Sequence, residues 1–274
     1  MLLLPWELDD SWLKGRSKLT LLVNFWSPTE PRVPHQKESE VAIFSNLASG
    51  FFDEIVVLFQ HRDEGGCVAF QEYAAQAQAH YFTNASLNTK LRCVSVRQQP
   101  TYFDMFRYAA KHLRWGIVVL ANSDMVFDHS VELSRNLARN QAKVIATSGF
   151  GSKAPTELQL HYMNITQLPV RTVVNRCYDE ALQQRTSWDA FVLRTHGIKI
   201  IRKSFTDRKT REAYYMNQNG AEAAALAALV LHNTKLSVCQ ACDDIAMWHF
   251  HTTPKTHAMN DTFVDAEYYF PRTC

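Results

Sequence analysis

Short apolar runs alternate with longer segments of helical spacing through the first half of the chain. Leu19–Phe25, Glu54–Phe59, Leu91–Val96 and Gly116–Ala121 are apolar and mostly rich in β-branched residues, which predicts four strands. Between them Glu38–Leu47, Val68–Tyr81 and Tyr102–Leu113 carry helical spacing. Val41, Ile43, Phe44 and Leu47 share the inward face of the first helix, and Phe103, Phe106 and Ala109 or Ala110 that of the third. Ser49-Gly50 ends the first helix, and Trp26 to Pro34 forms a proline-punctuated loop after the first strand. Strands that alternate with helices build a parallel sheet with right-handed crossovers. The expected class is therefore α/β, a three-layer domain with a mainly parallel central sheet.

The second half is less regular. Lys143–Thr147, Trp188–Leu193, Lys199–Ile201 and Leu236–Val238 predict strands, and Ala246–His251 closes the core. Residues 148–170 form a loop over the sheet. Asn219–Val230 is Ala-rich and predicts a strong helix with Asn219 or Gly220 at its start. Three segments result: an amino-terminal tail over 1–16, a single domain over 17–254 and a carboxyl-terminal tail over 255–274.

Composition narrows the function. With 46% hydrophobic and 20% charged residues, the chain is ordinary for a globular protein. A formal charge of +2 and no basic block argue against a dedicated nucleic-acid binder. No apolar run is long enough to span a bilayer, and Met1–Asp10 is apolar too briefly for a signal peptide. The expectation is a soluble chain, cytoplasmic, or resident in the Golgi lumen if an anchor precedes it. Of six cysteines, Cys239 and Cys242 form a lone C-x-x-C near His249 and His251. That spacing is too short for a zinc finger, so a disulfide or buried thiols are expected there. Sequons at Asn84, Asn164 and Asn260 are close to what chance supplies.

Candidate chemistry gathers where the fourth strand stops, at Asn122-Ser123-Asp124. Ligands of open α/β sheets bind at the carboxyl ends of strands. Oxygen-bearing side chains at 122 and 124 can face one hard cation, and Mg²⁺ or Mn²⁺ favours such oxygens with phosphates completing the shell. The plainer reading is a turn and cap before a helix at His129–Asn140, with Asp128 as its N-cap. Asp189 stands at the amino end of an apolar strand beside Trp188, where a carboxylate can take a proton from an acceptor hydroxyl and an indole can stack on a sugar. Arg97 and Tyr102 flank the loop after the third strand, the first suited to phosphate and the second to a base. Asp104 suits a helix cap. Glu222 lies in the first turn of the Ala-rich helix, which the helix dipole alone favours.

Taken together, Arg97-Gln-Gln-Pro-Thr-Tyr-Phe-Asp-Met-Phe106, Leu120–Asp128, Ser187–Arg194, Gly220-Ala-Glu222 and His249-Phe-His251 resemble, in order and spacing, glycosyltransferases of the GT-A type. More narrowly they are similar to a group reading R-P-T-Y-x-D-x-F, A-N-S-D-I-x-F-D, S-x-D-A-F-x-F, G-x-x-N and H-x-H. The resemblance covers residues 19–254 and departs in two places. Two glutamines separate Arg97 from Pro100, and Glu222 stands where Asn or Asp is expected. It implies a GT-A-like fold and transfer of a sugar from a nucleotide-diphosphate donor to a hydroxyl on a glycan or glycoconjugate, dependent on Mn²⁺ or Mg²⁺. Asp124, Asn122 and His251 would hold the ion. Asn24, Trp26, Arg97, Tyr102, Asn122 and Ser123 would hold the nucleotide. Asp189 would be the base of an inverting transfer, with Trp188 and Glu222 on the acceptor side. Two other classes stay open: a degenerate transferase that only binds, and a sugar nucleotidyltransferase. The glycine-rich signature of the latter is missing after the first strand.

Overall fold

The computed structural model describes residues 17–26, 33–60, 66–81, 90–147, 171–174, 187–196, 198–199, 221–241, 244–251 and 272–273. In chain order these form β1 (Leu19–Trp26), α1 (Val33–Ser49), β2 (Glu54–Gln60), α2 (Gly66–Tyr81), β3 (Lys90–Val96), α3 (Tyr102–His112), β4 (Ile117–Ala121) and β5 (Met125–Phe127). A 3₁₀ helix (His129–Asn136) follows, then β6 (Gln141–Thr147), β7 (Arg171–Val174), β8 (Ser187–Arg194), α4 (Ala221–His232), β9 (Ser237–Gln240), β10 (Met247–His251) and β11 (Arg272–Thr273).

The four strands of the first half form where the apolar runs predicted them. β1, β2 and β4 are buried on both faces, which is why they read as continuous apolar runs, whereas β3 at the sheet edge is partly exposed. Eight strands make the main sheet in the order β11-β9-β6-β8-β4-β1-β2-β3. All its pairs are parallel except those of β8, which runs against β4 and β6. The α/β class with a mainly parallel sheet is thus what the chain adopts. One face carries α3 and α4 over a core of Leu22, Leu120, Phe106 and Phe191. The other packs α1, α2 and a second, three-stranded sheet, β5-β10-β7, over Val23, Phe44, Ile55 and Val119.

Several expectations need correction. The segment after Asp128 is a 3₁₀ helix ending at Asn136, not an α-helix to Asn140, and a three-residue strand precedes it. The small sheet was not foreseen, and Arg272–Thr273, in the stretch read as a tail, pairs with β9. Lys199 is not in a strand. The loop over 148–170 and the sequons lie outside the described residues. Other readings hold. Asp128 is the N-cap of the 3₁₀ helix, accepting from the Ser130 N–H at 2.7 Å. Thr101 and Asp104 form a reciprocal capping box on α3. Gly50, after the last turn of α1, takes a left-handed φ of 71°.

A disulfide joins Cys67 at the start of α2 to Cys93 in β3, 26 residues later, with Cα atoms 5.4 Å apart. Cys239 is disulfide-bonded as well, which takes it out of any zinc site. A loop of that length loses about 3 kcal/mol of unfolded-state entropy when closed. The double variant C67S/C93S is therefore expected to be less stable by about that amount in guanidinium denaturation. An unchanged midpoint would show that the α2–β3 junction does not need the link.

Candidate active site

The strand order reverses between β1 and β4. From β1 the chain steps outward to β2 and β3, then returns to the far side of β1 as β4. At such a switch point the loops leave the carboxyl edge in opposite directions and open a crevice for a ligand. Asn24 ends the β1 side of this crevice and Asn122 follows the β4 side, since Val23 pairs with Ala121 one step earlier.

β8 brings the third group. Because it runs antiparallel to β4, its beginning, not its end, reaches the carboxyl edge, with Ala190 opposite Ala121. Asp189 is the next residue outward and shares the sheet face of Phe191 and Leu193. It is 2% exposed. The Asn122 backbone N–H donates to the Asp189 carbonyl at 3.2 Å, and Asn122 Nδ2 donates to Asp189 Oδ1 at 3.4 Å. On its other side Asn122 Oδ1 accepts from the Tyr102 hydroxyl at 3.2 Å. Tyr102, Asn122 and Asp189 are one hydrogen-bonded row across the ends of α3, β4 and β8.

This geometry limits what Tyr102 can offer a base. Its ring is 1% exposed and meets Phe191 edge-on, at 5.7 Å between centroids and 74° between planes. A ring enclosed this way cannot stack on a base; its hydroxyl orients Asn122 instead.

The Asn-Ser-Asp turn is held from the opposite face by α1. Ser39 Oγ and Ser123 Oγ lie 2.8 Å apart in a buried hydrogen bond. Asn46, also buried, donates from Nδ2 to the Met125 carbonyl at 2.7 Å and accepts from the Phe127 N–H at 3.0 Å. Its side-chain amide pairs with β5 as a neighbouring strand would. Asp124, inside this clasp, is 8% exposed. β10 pairs antiparallel with β5, His249 opposite Met125, so the register carries His251 to the level of the turn. Among the described residues no group of three or more potential metal ligands is found; the side chains of His249 and His251 lie outside them.

The other expected residues are placed less closely. Arg97 is exposed just past β3, two strands or about 10 Å from β1. Trp26 ends β1 beside Gln60, Trp188 precedes Asp189 on β8, and Glu222 stands in the first turn of α4, which packs against β8 and α3. The side chains of all three lie outside the described residues. Ser39 and Asn46 were not anticipated. The only sequence signal for Asn46 is a polar residue three positions after Ile43 on an inward helix face. Gln99 was also passed over. Its Nε2 is buried without a hydrogen-bond partner among the described residues, a state that costs about 1–3 kcal/mol until an acceptor arrives.

A scan against protein-family models finds no match, and a search of curated proteins finds none. Solved structures similar to this chain include the apo form of the glycosyltransferase GlyE of Streptococcus pneumoniae TIGR4, at 13% identity and a TM-score of 0.44. That alignment covers 82% of this chain and 45% of GlyE, so the chain spans under half the length of that protein. A 4-diphosphocytidyl-2C-methyl-D-erythritol synthase from Anaerococcus prevotii aligns over 85% of this chain and 89% of its own, at 9% identity and a TM-score of 0.39. HddC from Yersinia pseudotuberculosis aligns over 65% and 77%, at 9% identity and 0.34. Likeness at these values carries no case for an activity, which rests on the site itself.

Tyr102→Phe keeps the ring and deletes one hydrogen bond. It is expected to cost about 1 kcal/mol in urea denaturation. A neutral result would mean that the hydroxyl does not hold Asn122.

Proposed function

We propose that this protein is a glycosyltransferase that moves a sugar from a nucleotide-diphosphate donor to a hydroxyl on a glycan or glycoconjugate, with Mn²⁺ or Mg²⁺ as cofactor and with inversion at the anomeric carbon. The observation that carries this reading is the pair of carboxylates from adjoining strands at the switch point. Asp124 sits in the turn after β4, and Asp189 at the start of β8, tied to Asn122.

The two carboxylates serve different ends. Asp124 and Asn122, with His251 level with their turn, are hard ligands suited to a small divalent ion. Such an ion supplies charge stabilisation for a departing nucleoside diphosphate. Asp189 accepts the proton of the acceptor hydroxyl as the new bond forms. Asn122 holds that carboxylate in place and is itself held by Tyr102. Asn24, Trp26 and Ser123 bound the nucleotide side of the crevice, and Gln99 offers a buried donor to a carbonyl of the base. Arg97 serves an outlying phosphate. Trp188 and Glu222 are assigned to the acceptor side by their places at the start of β8 and of α4.

Thermal melting with nucleoside diphosphates, in Mn²⁺ or in EDTA, tests the donor site. One nucleotide is expected to stabilise the protein by about 2.7 kcal/mol at a hundredfold excess over Kd, only with metal, and Asp124→Ala should abolish the shift. A flat panel on folded protein would sink the transferase reading. With the donor so identified, Asp189→Asn should keep the shift but lower kcat for sugar transfer at least about a hundredfold. Near-normal turnover in that variant would remove Asp189 as the base.

A further inference from the structure

The edge of the main sheet opposite the site has its own character. Hydrogen bonds stitch its loops into one surface. The Lys90 N–H donates to Asp53 O at 3.2 Å, and that of Ile117 to Lys18 O at 2.8 Å. Thr195 Oγ1 donates to Leu113 O at 2.7 Å, Asn233 Nδ2 to Lys199 O at 3.1 Å, and the Ser237 N–H to Asn140 O at 2.6 Å. The surface spans eight strands, roughly 30 Å.

Among the described residues this surface is cationic, although the whole chain carries only +2. Glu54 pairs with Lys18 and Arg92, and Asp53 pairs with Arg135. Lys90, Lys111, Arg114, Arg139, Lys199 and Lys235 are all exposed on it and form no ion pair among the described residues. The crowding is felt locally. Burial first, then the charges of Lys111, Arg92 and Arg114, holds His112 below its ordinary value. Burial and then Arg139 act likewise on the Arg194 guanidinium.

Trp115 stands among these cations. Its φ of 72° lies in the left-handed region that L side chains avoid and glycine adopts freely. It is 47% exposed, and its ring stacks on His196 at 4.0 Å and 24°. The indole is thus held half-exposed, stacked on His196, by a backbone conformation better suited to glycine.

We propose that this edge docks the protein on a membrane surface rich in anionic phospholipid headgroups, with Trp115 entering the interface. Amphipathic indoles settle at headgroup level, and lysines or arginines near an anionic bilayer each add attraction. Cations spread over separate loops of a broad edge match a planar array of phosphates better than a single small anion. The proposal is independent of the activity assigned to the opposite edge.

The test is co-sedimentation of the full chain with vesicles of phosphatidylcholine alone, or with phosphatidylserine at about 30 mole per cent, at about 0.1 and about 0.5 M salt. Binding is expected only to the anionic vesicles, and weaker at high salt. K111A/R114A should weaken it roughly twenty-fivefold, about fivefold for each charge removed. W115G should weaken it too, while melting at or above the parent temperature, since glycine relieves the left-handed φ. The proposal is overturned by absence of binding to anionic vesicles, by equal binding to neutral ones, by variants that bind like the parent, or by retention on an immobilised acidic polysaccharide without vesicle binding.

Discussion

The site depends on one reversed strand. In a purely parallel sheet every strand offers the ligand edge only its last residues. β8 runs the other way between β4 and β6 and offers its first. That reversal puts Asp189 beside Asn122, and the small pair Ala121–Ala190 just below lets the strands meet without bulk at the crevice floor. Register matters as much as direction. Side chains alternate between faces, so a slip of one residue would send Asp189 to the α1 face and bring Trp188 to the position it leaves. Phe191 and Leu193, buried against α3 and α4, oppose that slip.

Burial gives the row of polar groups its rigidity. Tyr102, Asn122 and Asp189 satisfy one another where water has little access, and such networks are strong when complete and costly when broken. Each member is fixed by a different element: the tyrosine by the first turn of α3, the asparagine by the end of β4, the aspartate by β8. The row is assembled from three elements distant in sequence.

Much of this was legible in the sequence, and the reasons for the remainder are physical. β1, β2 and β4 showed because burial on both faces demands continuous apolar runs. The apolar-to-polar break at Asn122 marked the end of β4, and Asp189 stood at a strand start. The direction of β8 left no local signature, since strand sequence does not encode which neighbour it meets. β5, β7 and β11 are two to four residues long, too short for a pattern to rise above the background. Asn46 read as an ordinary helical residue because its partners, Met125 and Phe127, are some eighty residues away. The cationic edge was invisible for the same reason: Lys18, Lys90, Arg114 and Lys235 gather only when the strands align. Tyr102 was read as a ligand contact because an aromatic at a ligand edge looks the same in sequence whether its ring faces solvent or the core.

The amide of Asn46 has a consequence beyond the turn it steadies. β5 is the outermost strand of the small sheet, and an outer strand presents unpaired peptide groups to which any extended chain can add. Asn46 occupies the Met125 carbonyl and the Phe127 N–H with a single side chain. Among the described residues the small sheet is therefore sealed on that border. One buried asparagine thus closes to foreign strands the border that adjoins the Asn-Ser-Asp turn.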